Sequence, residues 1–212
     1  IIKPNIPLIL EDIILSLQKI GATPILVGGC VRDTILQIPC KDYDIEIFGI
    51  NSLELIENSL EKFGSVKLVG KSFGVLTLKI DDFDFDFALA RTEEKTGFGH
   101  GDFKISTNAN LSYKQAAIRR DFTINSIGYD FSKEEFLDPF NGLEDLKNKK
   151  IRHINDTTFI EDPLRVYRAI QFASRFEFSL DEKTKELCKQ MVLNDDLSHL
   201  AIERIYEEFK KL

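Results

Sequence analysis

Asp42 and Asp44 stand two apart in the run Asp42-Tyr43-Asp44-Ile45-Glu46-Ile47-Phe48. Its alternation predicts a strand, and side chains two apart on a strand share a face. Two carboxylates so placed can hold Mg²⁺, which takes oxygen ligands and is usually completed by substrate phosphates. Paired ions of that kind can activate an attacking hydroxyl and stabilise a leaving pyrophosphate. The competing explanation is a solvated edge strand, but Asp is depleted in strands, so two in one ask for a reason. Glu46 continues the same face as a bystander. A third carboxylate is offered by Asp82-Phe83-Asp84-Phe85-Asp86-Phe87, which puts three Phe on one face and three Asp on the other. Repelling carboxylates on one face need water or a cation. Solvent accounts for Asp82 and Asp84. Asp86, at the arginine-bearing end, is the candidate partner of the metal pair.

Gly28-Gly29 precedes the metal pair, with Arg32 just beyond it. Glycines let the backbone approach a ligand closely, and a helix N-terminus offers N–H donors to phosphate. Arg32 adds a bidentate phosphate contact. A Gly-Gly pair alone is more often a tight turn; Arg32 and the following aspartates shift the balance. In Arg119-Arg120-Asp121-Phe122-Thr123-Ile124-Asn125, Arg120 can meet a triphosphate, and Asp121 and Asn125 can bond ribose hydroxyls. A helix-end ion-pair cluster explains the same residues about equally well. In Glu161-Asp162-Pro163-Leu164-Arg165-Val166-Tyr167-Arg168, Pro163 suits the first helical position and Asp162 the N-cap. Arg165 and Arg168 follow on the same face. An Asp162–Arg165 pair offers a nucleobase both an acceptor and a donor. His100, His153 and His199 have no metal-ligand spacing and read as surface or packing residues.

The elements that must position these residues follow from pattern. Ile9–Ile20 reads as a helix stopped by Gly21. Thr23–Val27 is a strand leading into the glycines, Val31–Leu36 a helix, and Tyr43–Phe48 the strand of the metal pair. Ser52 caps a helix over Leu53–Phe63. Ser65–Val69, Val75–Ile80 and Phe83–Ala90 are strands. Arg91–Asn110 reads as a long functional loop. Tyr113–Arg120 is helical, and Ile127–Asp130 with Glu135–Asp138 forms a hairpin. Beyond residue 140 strand signals vanish; Leu143–Leu146, Asp156–Ile160, Pro163–Phe176, Glu182–Leu193 and Ile202–Leu212 read as helices.

The 212 residues are 43% hydrophobic and 30% charged, ordinary globular values. The three cysteines lack disulfide or zinc spacing and fit a reducing cytoplasm. No apolar run approaches the ~20 residues of a membrane span, and no signal peptide is visible. The chain lacks an initial Met and stops inside a helix-like segment, the pattern of a trimmed chain or of the front of a longer protein. Net charge is −7, with 15 Lys and Arg against 21 Asp and Glu in residues 1–140. That excess argues against coating RNA broadly, though not against holding an RNA end.

Taken in order, Leu26-Val27-Gly28-Gly29-Cys30-Val31-Arg32-Asp33, Asp42-x-Asp44, Ala88-Leu89-Ala90-Arg91-Thr92-Glu93, Arg119 to Asn125, Asp138-Pro139-Phe140-Asn141-Gly142-Leu143 and Glu161 to Arg165 resemble the class II tRNA nucleotidyltransferases. These are the bacterial CCA-adding enzymes and their poly(A) polymerase relatives. The ordered set is specific where each motif alone is weak. The resemblance implies an α+β, polymerase-β-like nucleotidyltransferase head with a mixed, largely antiparallel sheet, over residues 1–140. A nucleobase-recognising helical neck follows over 141–212, with body and tail beyond. It implies addition of C, C and A from CTP and ATP to the tRNA 3′ end, with Mg²⁺ and release of pyrophosphate. Carried over by position, Asp42 and Asp44 hold metal, with Asp86 beside them. Gly28, Gly29, Arg32, Arg120, Asp121 and Asn125 hold triphosphate and ribose. Asp162 and Arg165 read the base, with Arg168 nearby. Arg91–Asn110 matches the flexible loop of C-to-A switching. Ser126 stands where Ala is common. Poly(A) synthesis is the near alternative, and Gly70-Lys71-Ser72-Phe73 is less basic than such enzymes carry there. A-only or CC-only addition remains open, as does a binding module without catalysis. Monomer and homodimer are equally open.

Overall fold

The computed structural model describes residues 3–69, 74–95 and 103–212. In chain order the elements are α1 Leu8–Lys19, β1 Thr23–Val27, α2 Gly29–Ile35, β2 Asp42–Phe48, α3 Leu53–Leu60, β3 Val66–Val69, β4 Val75–Ile80, β5 Phe83–Leu89, β6 Arg91–Lys95, β7 Phe103–Thr107, α4 Tyr113–Ala117, β8 Gly128–Asp130, β9 Glu135–Leu137, α5 Gly142–Lys147, β10 Lys150–Ile151, α6 Asp156–Ile160, α7 Leu164–Phe176, β11 Ser179–Leu180, α8 Glu182–Leu193 and α9 Ile202–Phe209. They fall into two compact units. The first comprises Ile1–Glu94, Phe103–Ala116 and Ile127–Leu137; the second comprises Lys95–Asp102, Ala117–Ser126 and Asp138–Leu212. The division is therefore not one cut near residue 140.

The first unit is built on a seven-stranded sheet of order β3-β4-β5-β2-β1-β8-β9. Only β2 and β5 run parallel; the other neighbours are antiparallel. One face carries Leu26, Tyr43, Ile45, Ile47, Leu76, Leu78, Phe85 and Phe87, all buried. Strand alternation puts them there together. Helix α1 contributes Leu10, Ile13, Ile14 and Leu17, spaced for one helical face and buried. Ser52 caps α3 by accepting the Leu55 N–H at 3.3 Å. The helix stops at Leu60, and Glu61–Phe63 tightens into a 3-10 turn. The opposite face carries a smaller apolar cluster, Ile25, Val27, Phe48, Ala90 and Ala116, against which Tyr113 packs. The aspartates share this second face.

The second unit is mainly helical, with a two-residue parallel pair of β10 and β11. That pair is too short to show a period, so the expectation of no strands beyond 140 fails there. Its core gathers Phe122, Phe159 and Phe172; Phe122 meets the other two edge-on at 5.7 and 5.8 Å. The stretch 91–110, expected as a loop, holds the two-stranded ladder of β6 and β7. The centre of that stretch, the Gly70–Phe73 discriminator and His100 lie outside the described residues. Among the described residues no helix is long and apolar enough to cross a membrane.

Candidate functional site

Asp42 and Asp44 sit on β2 with both side chains exposed, while Tyr43 and Ile45 between and beyond them are buried. The parallel β2–β5 register sets Asp42 opposite Asp84 and Asp44 opposite Asp86. The antiparallel β4–β5 register then sets Lys79 opposite Asp84 and Thr77 opposite Asp86. Two rows cross the sheet in consequence. In one, Lys79 lies 3.3 Å from the Asp84 carboxylate and balances its charge. In the other, the Thr77 hydroxyl donates to Asp86 Oδ1 at 2.6 Å. That second row continues through Asp44 to Val27, the residue before Gly28. Among the described residues no three His, Cys, Asp or Glu side chains gather closely enough to hold a metal ion. Asp86 stands beside the pair in register, and its hydrogen bond to Thr77 accounts for one of its oxygens.

The phosphate turn joins β1 to α2. The helix begins at Gly29, two residues before the sequence pattern places it, with Gly28 as its N-cap at φ 75° and ψ −147°. That backbone region is open almost only to glycine. Gly29 matters for space instead: a Cβ there would lie 3.2 Å from Arg32 Nη2. Arg32 is buried and ion-paired with Asp33. The Cys30 and Cys40 thiols hydrogen-bond one another; this bond, with burial, pushes Cys30 up, and the same bond draws Cys40 down.

In the second unit, residues 117–126 are held by ionic contacts to helices far along the chain. Asp121 Oδ1 accepts the Phe122 N–H at 2.7 Å and Asn125 Nδ2 at 3.0 Å. Arg168 Nε and Nη2 both donate to Asp121 Oδ2 at 2.7 Å. Burial alone would raise the Asp121 carboxyl; the Arg168 charge, the Asn125 hydrogen bond and the Arg165 charge outweigh it and hold it below the usual carboxylate range. Asp121, expected with Asn125 to face ribose hydroxyls, bonds both Asn125 and Arg168. Arg168 also reaches Glu208 of α9 at 3.4 Å and serves this network. Thr123 donates to Asp145 at 2.7 Å, and Arg152 links Asp145 to Asp181. Arg119 and Arg120 are half-buried.

Asp162 Oδ1 accepts the Leu164 N–H at 3.2 Å, so it caps α7, and its other oxygen lies 3.5 Å from Arg204. Arg165 donates through Nη1 to the Thr158 carbonyl and through Nη2 to the Arg119 carbonyl, the latter at 2.6 Å. Its guanidinium is locked to main chain, and the residue is half-buried. His153 is a packing residue, bonded to Thr184 and Asp156; His199 is exposed. Thr77, Lys79, Asp33, Arg204 and Glu208 escape sequence reasoning. Only Asp33, inside the glycine motif, carries a signal that points to it.

The poly(A) polymerase head domain matches residues 25–152. The multifunctional CCA protein of Haemophilus ducreyi is 41% identical over 189 residues, covering 88% of this chain and 44% of that protein. The corresponding protein of Pseudoalteromonas atlantica is 39% identical over 190 residues, with the same coverage. The chain thus spans less than half the length of these relatives. A CCA-adding enzyme solved with ATP aligns with a TM-score of 0.80 at 30% identity, covering 98% of this chain and 47% of that one. The Thermotoga maritima CCA-adding enzyme in complex with tRNA aligns with a TM-score of 0.80 at 29% identity, covering 99% and 48%. The sheet of the first unit is the polymerase-β-like nucleotidyltransferase head. With its glycine turn, its exposed aspartate pair and this identity along nearly its whole length, the chain belongs to the poly(A) polymerase head-domain family that includes the multifunctional CCA proteins.

Proposed function

We propose that this chain is the nucleotide-handling part of a template-independent tRNA nucleotidyltransferase that adds C, C and A from CTP and ATP to the tRNA 3′ end. The observation that carries the reading is the exposed Asp42/Asp44 pair on β2, one strand from the Gly28-Gly29 turn. The donors are all carboxylate oxygens on one solvent-facing side, a set that suits a hard divalent cation such as Mg²⁺. When bound there, Mg²⁺ supplies positive charge that stabilises the attacking oxygen and the leaving pyrophosphate. In the reaction the 3′-hydroxyl oxygen bonds to the α-phosphorus of the incoming nucleotide. The bond from that phosphorus to the β-phosphate oxygen breaks, and the hydroxyl proton is released. Gly28, Gly29 and Arg32 hold the triphosphate. Arg120, Asp121 and Asn125 form the segment expected to place triphosphate and ribose. Asp162 and Arg165 read the base; the main-chain anchors of Arg165 keep its fork rigid, which favours selection over simple attraction. Residues 141–212 act as the neck of such an enzyme. Three unbridged cysteines fit a reducing cytoplasmic setting.

The test is incorporation into tRNA lacking its CCA end, supplied with CTP, ATP or both. The expected result is C addition with CTP alone and a complete CCA end with both. Long poly(A) tails without CCA repair would overturn the reading. Asp42→Ala is expected to keep the fold and lose about a thousandfold in rate, about 4 kcal/mol of transition-state stabilisation. Unchanged incorporation in that variant removes the metal role.

A further inference from the structure

We infer that Asp33 is a positioning residue for triphosphate recognition, fixing the Arg32 guanidinium against the Gly28-Gly29 turn. The inference rests on the reading of that turn as the triphosphate site. Arg32 Nε and Nη2 both converge on a single Asp33 oxygen, Oδ1, at 2.8 and 2.6 Å. The two side chains are only 4% and 13% exposed. Adjacent residues on a helix point well apart, so helical geometry does not bring them together. The arginine side chain must curl back to make this contact.

Two physical facts give the contact its purpose. A buried guanidinium without a counter-charge is strongly unfavourable. The absent Cβ of Gly29 leaves the space that Nη2 fills, since a methyl there would stand 3.2 Å from it. Asp33 therefore helps to store a desolvated cation at the turn and to set the direction of its fork. A polyanion arriving at the turn meets a guanidinium already immobilised, and the ordering cost falls on folding rather than on binding. Asp33 also opposes the polyanion through its own charge. The short double contact and the burial argue that orientation outweighs this repulsion.

The experiment measures equilibrium binding of CTP, ATP and inorganic triphosphate to Arg32→Ala, Asp33→Ala, Asp33→Asn and Gly29→Ala, with thermal unfolding of each. Asp33→Ala is expected to weaken all three ligands alike, by about five- to tenfold, leaving the CTP-to-ATP preference unchanged. Asp33→Asn, which keeps the accepting oxygen, is expected to recover most of that loss and covers the case in which Asp33→Ala does not fold. Gly29→Ala crowds the same guanidinium, so its effect and that of Asp33→Ala should fall short of adding. In steady state on tRNA, KM for both nucleotides should rise with kcat within about twofold. If Arg32→Ala weakens triphosphate but Asp33→Ala and Asp33→Asn do not, or if they tighten it, the positioning role is wrong. If Arg32→Ala itself leaves triphosphate binding unchanged, the reading of the turn falls instead.

Discussion

Asp42, Asp44, Asp84 and Asp86 share one face of the sheet, and their neighbours give them different roles. Asp84 is balanced by Lys79 and Asp86 is bonded to Thr77, while Asp42 and Asp44 stay exposed on β2. The pair is legible in sequence because it needs only the two-residue period of one strand. The fates of Asp84 and Asp86 are not, because they depend on which strand lies beside β5 and in which register. Asp121 is the opposite case, a buried carboxylate already bonded to Asn125 and Arg168. Its folded value lies below the ordinary carboxylate value. Its contribution is therefore complete above about pH 4 and is lost as pH falls through the folded value. Asp121→Asn, which leaves Arg168 without that partner, is expected to cost about 2–3 kcal/mol at pH 7. The gap to the parent should narrow on acidification below about pH 4. Urea unfolding at pH 7 and across that acid range measures both; a gap that is constant with pH would show that the ion pair is not its source.

Helix α7 carries two duties at its first turn. Asp162 accepts the Leu164 N–H there, and it is also the proposed base reader. Substitution separates the two. Asp162→Ala is expected to lose about 1 kcal/mol of stability and nucleotide selection together. Asp162→Ser, another good cap, should regain stability without regaining rejection of UTP and GTP. Thermal unfolding set beside misincorporation rates decides it; recovery of both by Ser would leave Asp162 as a cap alone. Most elements were legible. β1, β4, α6 and α8 span the residues that periodicity and caps predict. The missed ones share a cause. β6 is charged at every position but Thr92, β7 alternates only over Phe103-Lys104-Ile105-Ser106 within a glycine-bearing stretch, and β10 and β11 are two residues each, so the periods on offer are absent or very short.

At the scale of the whole chain, charge bears on what it can bind. Net charge is −7, which repels a polyanion beyond the few sites that bind it. The chain also spans 44% of its Haemophilus ducreyi relative. On the proposed function, it is expected to bind CTP and ATP, and tRNA at least about tenfold more weakly than that full-length protein at equal salt. Filter binding of both proteins across a salt series tests this; equal affinities would place the tRNA-gripping surface within these residues.

Residues 117–126 belong to the second unit although the segments on either side of them, 103–116 and 127–137, belong to the first. Asp121 must therefore suit Arg168, and Thr123 must suit Asp145, across long stretches of chain. No single crossover between two genes of this kind can exchange one unit whole. A hybrid joined near residue 138 would set one parent's Phe122 among the other's Phe159 and Phe172. The two units are thus bound to be inherited together, and their residues to vary as matched sets.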